Sequence, residues 1–322
     1  MKPKESLARF QSLIALVLMV AFLSVKAENF LTVNNGLNVL LQISVNLCLS
    51  IGMTLIILTG GIDLSVGAVL ALSGAVAAGL LKNGLTLAWL GVQLQFTPFG
   101  AVLAGVGVGL VLGWSNGMLI TRFRLPPFVA TLGMLSIARG LTMRWTGGFP
   151  VNGLGPVFGF IGTGYWLGVP VMVWISAGLM GLFYFVCKHT TLGRYIYAVG
   201  GNERAASFSG LNVNRIKVWV YALGGALSGL AGLLLMSRLD SATPNAGIGF
   251  ELDSIAAVVI GGTSLSGGRG SVLGTALGCL IIGVLNNGLV LLGVDATWQL
   301  VIKGVVIILA VIVDRAGEKG KS

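Results

Sequence analysis

Long apolar runs divide this sequence into segments that match the thickness of a lipid bilayer. A helix needs about 20 predominantly apolar residues to cross the hydrocarbon core, and roughly ten segments of the 322-residue chain approach that length. The candidate spans cover residues 11–27, 37–58, 64–81, 98–120, 127–144, 168–187, 215–236, 251–266, 271–293 and 296–313. The sequence therefore predicts an all-α fold, a polytopic membrane protein with about ten transmembrane helices, some of them short or broken.

Composition supports a membrane environment for the whole chain. Hydrophobic residues make up 55% and charged residues 9%, whereas a soluble domain is about 25% charged. So few charges cannot cover a globule with polar surface, and the 50 glycines allow membrane helices to approach closely. We predict a single transmembrane domain over residues 1–322. The net charge of +10 lies in short loops and tails, so the expected partner is membrane lipid and not nucleic acid.

Two of the predicted spans, 64–81 and 251–266, are Gly-rich and short. Each is predicted to cross fully or to be broken or re-entrant, and an irregular backbone is tolerated at membrane depth only against protein or a water-filled cavity. Carboxylates stand at both starts, in Leu58-Thr-Gly-Gly-Ile-Asp-Leu-Ser-Val-Gly67 and in Gly249-Phe-Glu-Leu-Asp253. A charge at the bilayer centre costs about 2.5–3.5 kcal/mol on insertion scales. The presence of carboxylates at the starts of these two spans therefore needs an explanation.

These carboxylates have a structural and a functional interpretation. Asp63 can cap the following helix, where the helix dipole favours negative charge and Ser65 adds a hydrogen bond. Alternatively, Asp63 polarises a transport pathway or its gate. Glu251 and Asp253 repeat the arrangement and have the same two interpretations, the structural one being favoured. Candidate cationic partners are Lys303, Arg139 and Arg144.

Two adjacent amides, Asn286 and Asn287, fall in the middle of a predicted span. Amides can hydrogen-bond a hydroxylated substrate, so both are candidates for lining a cavity. They can equally bond two helices together. The sequence leaves the two alternatives open.

Basic residues indicate the orientation of the chain. If the N-terminus is cytoplasmic, 14 of the 20 lysines and arginines fall in inside segments, as the positive-inside rule requires. We therefore expect both termini in the cytoplasm. The run 13–25, followed by Val25-Lys-Ala27, resembles a signal peptide, but an uncleaved first helix is favoured.

Two stretches with turn chemistry face outward on this topology. They are Gly147–Gly168 and Asp240–Gly249, and both are predicted to be non-helical. Either could dock an external partner or serve as a connector.

Several motifs that would indicate an enzyme have simpler explanations. Glycines 105, 109, 113 and 117 recur every four residues inside an apolar span, which is a helix-packing stripe and not a dinucleotide fingerprint. The tail Gly320-Lys-Ser322 lacks the P-loop's first glycine, because that position is Arg315. His189, the only histidine, lies in a loop, and Cys48, Cys187 and Cys279 have neither metal nor disulfide spacing. We predict no catalytic residues, no metal and no cofactor in this chain.

The most charged internal loop, at about 188–215, predicts a short helix. Asn202 can cap it, Glu203 suits its first turn, and Gly210 can end it. Such a helix can seat in another protein's groove or act as a rigid connector.

Four segments together resemble the permease subunits of bacterial ABC sugar importers, ribose permeases among them. They are LTGGIDLSVG (58–67), GRYIYAVGGNERAASFSGLNV (193–213), GFELDSIAAVVIGGTSLSGGRGS (249–271) and LNNGLVLLGV (285–294). The resemblance extends over nearly the whole chain. It implies a location in the bacterial inner membrane, a homodimeric pathway, a cytoplasmic ATPase subunit that holds the ATP-Mg, and a periplasmic sugar-binding protein.

The same resemblance implies a role for the charged loop. Its residues Gly201, Asn202, Glu203, Ala205, Ala206 and Gly210 are similar to the coupling helix that such permeases insert into their ATPase. The expected function is import of a monosaccharide, ribose or a related pentose. The alternative is a self-sufficient secondary transporter or channel, which often carries intramembrane carboxylates and needs no coupling loop.

Overall fold

The computed structural model describes residues 3–87 and 91–319, and these residues are mostly helical. The helices are α1 (Pro3–Lys26), α2 (Val33–Leu58), α3 (Val66–Asn83), α4 (Pro98–Arg122), α5 (Pro127–Thr146), α6 (Pro156–Thr163), α7 (Val171–His189), α8 (Thr191–Gly201), α9 (Glu203–Phe208), α10 (Val213–Leu239), α11 (Phe250–Ile260), α12 (Val272–Leu291) and α13 (Ala296–Lys319). The predicted all-α class is confirmed.

Short antiparallel strand pairs occupy some of the connections between the helices. Strands β1 (Leu85–Leu87) and β2 (Val92–Leu94) form a hairpin, as do β4 (Tyr165–Trp166) and β5 (Val169–Pro170). Strand β3 (Val151–Asn152) pairs instead with β6 (Ser241–Ala242), which ties two distant connections together. The connection Gly147–Gly168 was predicted to be non-helical, which is wrong for α6, an eight-residue helix that begins at Pro156.

Six helices of the described residues are long and apolar enough to cross a membrane: α2, α3, α4, α7, α10 and α12. The predicted eighth span, 251–266, is not one crossing helix. Helix α11 has 11 residues and ends at Ile260, so it is about 16 Å long, roughly half the thickness of a hydrocarbon core. The weak third span is a helix of 18 residues that begins at Val66.

Helix α10 lies at the centre of the bundle, packed against α2, α3 and α4. Its crossing with α4 is formed by backbone contact. A Cβ atom added at Gly109 would overlap the carbonyl oxygen of Gly225, and one added at Gly113 would overlap that of Tyr221. A Cβ atom at Gly107, on the other face of α4, would meet no atom of the described residues within 4 Å. The stripe of glycines is therefore a packing surface, as predicted.

The two ends of the bundle differ in their connections. One end carries α8 and α9, between α7 and α10, and is called the α9 end. The other carries α6 and the strand pair β3–β6, and is called the α6 end.

A matched pair of substitutions on α4 tests the packing of α10. Gly109→Ala should destabilise the protein by about 1–3 kcal/mol, the usual cost of overpacking, because its Cβ atom meets backbone that cannot move aside. Gly107→Ala should leave stability unchanged or raise it slightly, since alanine is the better helix former. Thermal unfolding followed by size exclusion in detergent measures both. Equal melting temperatures for the two variants would contradict the assigned helix crossing.

Candidate functional site

Helices α3 and α11 both begin inside the bundle instead of at its ends. Near the start of α11, the Ser254 hydroxyl lies 3.4 Å from that of Ser50. Ser50 comes eight residues before the end of α2 at Leu58, or about 12 Å along the helix. Near the start of α3, the Ser65 hydroxyl accepts a hydrogen bond from the Asn116 side chain. Asn116 lies six residues before the end of α4 at Arg122.

The segment Thr243–Gly249 leads into α11 and lies against the first turn of α3. Gly247 contacts Gly67 so closely that neither position has room for a Cβ atom. A Cβ atom at Gly67 would also lie 2.6 Å from a carboxylate oxygen of Glu251. Glu251 thus lies beside the N-terminus of α3, whose partial positive charge favours an anion. Its other oxygen accepts a hydrogen bond from the Gly249 amide at 3.3 Å.

Arg139, near the middle of α5, holds this non-helical segment in place. Its Nη1 atom donates to the carbonyl oxygens of Pro244 at 2.6 Å and Ala246 at 2.9 Å. These carbonyls belong to no helix, so without a donor they would be costly inside a bilayer. The sequence suggested Arg139 only as a partner for a carboxylate. It interacts electrostatically with Glu251, but its hydrogen bonds go to the backbone.

Asp253, in the first turn of α11, forms an ion pair with Lys303 of α13. The Lys303 Nζ atom lies 3.0 Å from Asp253 Oδ2, and the side chains are 24% and 10% exposed. The predicted pairing of Lys303 with a carboxylate is present, and the structure identifies the partner.

Asp63 is buried at the start of α3 without an ion pair in residues 3–87 and 91–319. Its Oδ1 atom accepts from the Ser65 amide at 2.7 Å and from the Ser65 hydroxyl at 2.6 Å. The N-cap residue itself is Ser65, whose side chain makes no capping bond. Asp63 therefore supports the helix start from two residues upstream, which is close to its predicted capping role.

Asn116 of α4 also bonds Ser65 at the start of α3, and it was not among the residues predicted from the sequence. Its amide nitrogen donates to the Ser65 hydroxyl at 3.0 Å. Its carbonyl oxygen is buried and has no hydrogen-bond partner among the described residues. A polar residue in an otherwise apolar, Gly-rich span was the signal that could have identified it.

The starts of α3 and α11 share a sequence pattern. Gly61-Ile-Asp-Leu-Ser65 and Gly249-Phe-Glu-Leu-Asp253 both read glycine, apolar residue, acid, leucine, polar residue. Both acids lie close to the first turn of α3. The two weak spans of the sequence thus meet inside the bundle, and we call the cluster of Asp63, Ser65, Arg139, Glu251 and Asp253 the interior polar site.

Asn286 and Asn287 do not join the interior polar site. The Asn287 amide exchanges two hydrogen bonds with Asn35 of α2, at 2.8 and 3.0 Å. This geometry agrees with the helix-bonding alternative for Asn287. Asn286 differs from its neighbour, because its side-chain carbonyl oxygen is buried and has no hydrogen-bond partner in the part of the chain that the structure describes.

The predicted short helix of the charged loop is present as α9. The Asn202 side chain accepts from the Ala205 amide at 3.0 Å, and Gly210 has a positive φ of 84° just after the helix. Glu203 is joined to Lys217 of α10 by a 2.7 Å ion pair. Gly201 lies at the end of α8, one residue before the cap.

The two alanines of this helix differ in exposure. Ala205 is exposed, whereas Ala206 is 5% exposed and packs against the chain's own core. Phe208, at the end of the helix, is 92% exposed. A partner that binds α9 therefore meets Phe208 and Ala205, and Ala206 serves to attach the helix to the bundle.

Comparison with known proteins identifies the family. The family model described as branched-chain amino acid transport system / permease component matches residues 35–311. The ribose import permease proteins RbsC of Escherichia coli strain K12 and Bacillus subtilis strain 168 are each 49% identical, over 97% of this chain and 95% and 93% of theirs. The D-allose transport system permease protein AlsC of Escherichia coli strain K12 is 40% identical over 93% of this chain and 89% of its own.

No solved structure matches the chain. The family match covers most of the sequence, and the relatives align over nearly their full length. The chain is therefore a multi-pass membrane protein and a transport subunit, not an enzyme, and it belongs to the branched-chain amino acid transport system / permease component family.

Proposed function

We propose that this chain is the membrane-spanning subunit of an ATP-driven, binding-protein-dependent importer of ribose or a related sugar. The observation that carries the proposal is the 49% identity to ribose import permeases of two distant bacteria. The D-allose and fructose import permeases, at 40% and 36% identity, support a monosaccharide as the substrate class. The chain itself binds no cofactor, and ATP-Mg belongs to a partner subunit.

We propose that the ATPase partner binds the α9 end. Phe208, the last residue of α9, is exposed there, and so are Arg204 of the same helix and Arg215 in the first turn of α10. Exposed aromatic and arginine side chains are the usual anchors of protein interfaces. The α9 end is then cytoplasmic, as are both termini, and the sugar-binding protein docks at the α6 end. An open cleft of about 630 Å³ lies there, bordered by Pro156, Phe160 and Asp240.

The full topology is proposed to be ten spans arranged as two halves of five. The shared Gly–apolar–acid–Leu–polar pattern precedes the third span of each half, at Asp63 and Glu251. An odd number of spans per half makes the two halves run in opposite directions. Interrupted segments at corresponding positions of inverted halves are a known mark of a transport site. In the second half the interrupted span is the segment Thr243–Gly249 together with α11.

We propose that a second copy of the chain covers this interrupted segment. Asn245 and Ile248 are exposed there, and the neighbouring Arg139 lies near the middle of α5. Lipid cannot satisfy the polar groups of a non-helical backbone at this depth, whereas a water-filled cavity within an oligomer can. The interior polar site then lies beside a pathway between the two copies, with Glu251 and Asp253 nearest to it.

The alternative is a self-sufficient secondary transporter, since interior carboxylates at helix starts also occur in that class. Uptake by proteoliposomes distinguishes the two functions. The chain alone should move no ribose, and addition of the ATPase and the sugar-loaded binding protein should produce uptake that depends on ATP. Uptake by the chain alone, down a sugar gradient or with an imposed ion gradient, would support the alternative.

Substitution of Phe208 tests the ATPase-binding surface. Phe208→Ala should weaken association with the ATPase about 30-fold, roughly 2 kcal/mol, which is typical of an interface anchor. Phe99→Ala is the matched control, because Phe99 is 72% exposed at the start of α4, at the other end of the bundle. Binding of purified ATPase to the detergent-solubilised chain measures both variants. An equal loss of affinity for the ATPase in both variants, or no loss in either variant, would contradict the proposed surface.

Substitution of the ion pair between Asp253 and Lys303 tests whether Asp253 has a structural role or a role in the pathway. Lys303→Met should lower stability by about 3 kcal/mol, the lower end for breaking a buried pair, because Lys303 is partly exposed. Adding Asp253→Asn should restore most of that loss. Transport by the folded double variant then decides the role of Asp253, and the pathway assignment predicts that transport stays impaired. Full transport at restored stability would make the pair purely structural.

A further inference from the structure

Three segments of the chain meet at the α9 end through glycine backbones. They are the end of α2 at Leu58–Gly60, the end of α8 at Gly200–Gly201, and Gly267–Gly268 in the connection between α11 and α12. The Gly268 amide donates to the Leu58 carbonyl at 2.9 Å. We call this meeting point the glycine junction.

Close approach explains the glycines of this junction. A Cβ atom at Gly200 would overlap the Leu58 carbonyl oxygen and lie 2.5 Å from the Gly268 amide nitrogen. A Cβ atom at Gly268 would lie 2.7 Å from both the Cα and the nitrogen of Gly201, and one at Gly267 would lie 3.0 Å from the Gly200 oxygen. Gly267 and Gly268 also have positive φ angles, 87° and 70°. No flexible side chain separates these backbones, so displacement of one segment is passed directly to the others.

The junction connects the parts of the molecule that the proposed function requires to move together. On one side, Gly201 is followed by the Asn202 cap of α9. On another, the connection that holds Gly267 begins directly after α11, the helix that carries Asp253. On the third, Leu58 precedes the turn that holds Asp63. A further tie, from the Tyr197 hydroxyl to the Gly270 carbonyl at 2.9 Å, joins α8 to the same connection.

We infer that the glycine junction is the positioning element that transmits movement of α9 to the interior polar site, with Gly200 and Gly268 as its central residues. This inference rests on the proposed function, because it requires an ATPase that moves α9. The proposed ATPase-binding surface is formed by Phe208 and Ala205 of α9, and the central junction residues Gly200 and Gly268 lie outside it. Damage to the junction should therefore separate ATP hydrolysis from sugar movement while leaving the complex assembled.

Gly200→Ala tests the inference in the reconstituted complex with the ATPase and the ribose-binding partner. It should leave ATPase association unchanged and lower the ribose moved per ATP hydrolysed by about fivefold or more, the range of allosteric coupling. Gly181→Ala in α7 is the matched control, since a Cβ atom there meets no described atom within 4 Å, and it should behave as the wild type. A normal ratio of ribose to ATP in a folded, assembled Gly200→Ala complex would overturn the inference.

A milder variant keeps the test decisive if Gly200→Ala does not fold. Tyr197→Phe removes the hydroxyl that binds Gly270 and should lower the ratio of ribose to ATP in a complex that still folds and assembles. If the ratio of every assembled complex equals that of the wild type, the junction only supports folding. A wild-type complex that imports no ribose would instead refute the proposed function, and that outcome is distinct from a defect of the variants alone.

Discussion

The backbone of Thr243–Gly249 is the constraint on which the rest of this structure depends. A helix satisfies its own amides and carbonyls, but this segment is not helical and lies level with the middle of α5. Arg139 supplies donors to two of its carbonyls, and the start of α3 packs against Gly247. An irregular backbone persists at such depth only where protein or water covers it. On the proposed ten-span topology this segment lies at membrane depth, so it needs both the arginine and an aqueous or protein neighbour.

Charge placement in the bundle follows from the same interruption. Helix α11 begins in the interior, so its first turn presents a helix N-terminus there, and Asp253 is compensated by Lys303. Helix α3 also begins in the interior and has a carboxylate on each side, Asp63 and Glu251. Anions are stabilised at helix N-termini, so two helices that begin inside the bundle allow several carboxylates to stay buried. A bundle whose helices all began at its ends would offer no such positions.

The parts of the fold that depend on neighbouring residues were predictable from the sequence. Asn202 and Gly210 fixed the ends of α9, because capping involves residues only a few positions apart. The four-residue spacing of glycines in α4 identified a packing face, although the partner helix was unknown. The weakness of span 251–266 marked the interruption before α11, whereas the equally weak span 64–81 forms one helix of 18 residues, so the sequence left open which of the two is short.

Contacts between segments that are distant in the sequence were not predictable, because only the tertiary fold brings them together. Arg139 lies 105 residues before Pro244, and Lys303 lies 50 residues after Asp253, so no local pattern pairs them. The same holds for Gly200 and Leu58 at the glycine junction. The burial of Ala206 was also missed, since a good helix former in a short amphipathic loop gives no indication of which side faces the bundle.

A spin label at Ile248, in a chain whose three cysteines are replaced, tests the central claim most directly. The protein is placed in lipid nanodiscs, and collisions with a water-soluble nickel chelate and with membrane-soluble oxygen are compared. An interrupted segment beside an aqueous pathway between two copies predicts preferential access of the nickel chelate and a dipolar coupling between the labels. Preferential access of oxygen without dipolar coupling would place Ile248 in lipid and contradict the account.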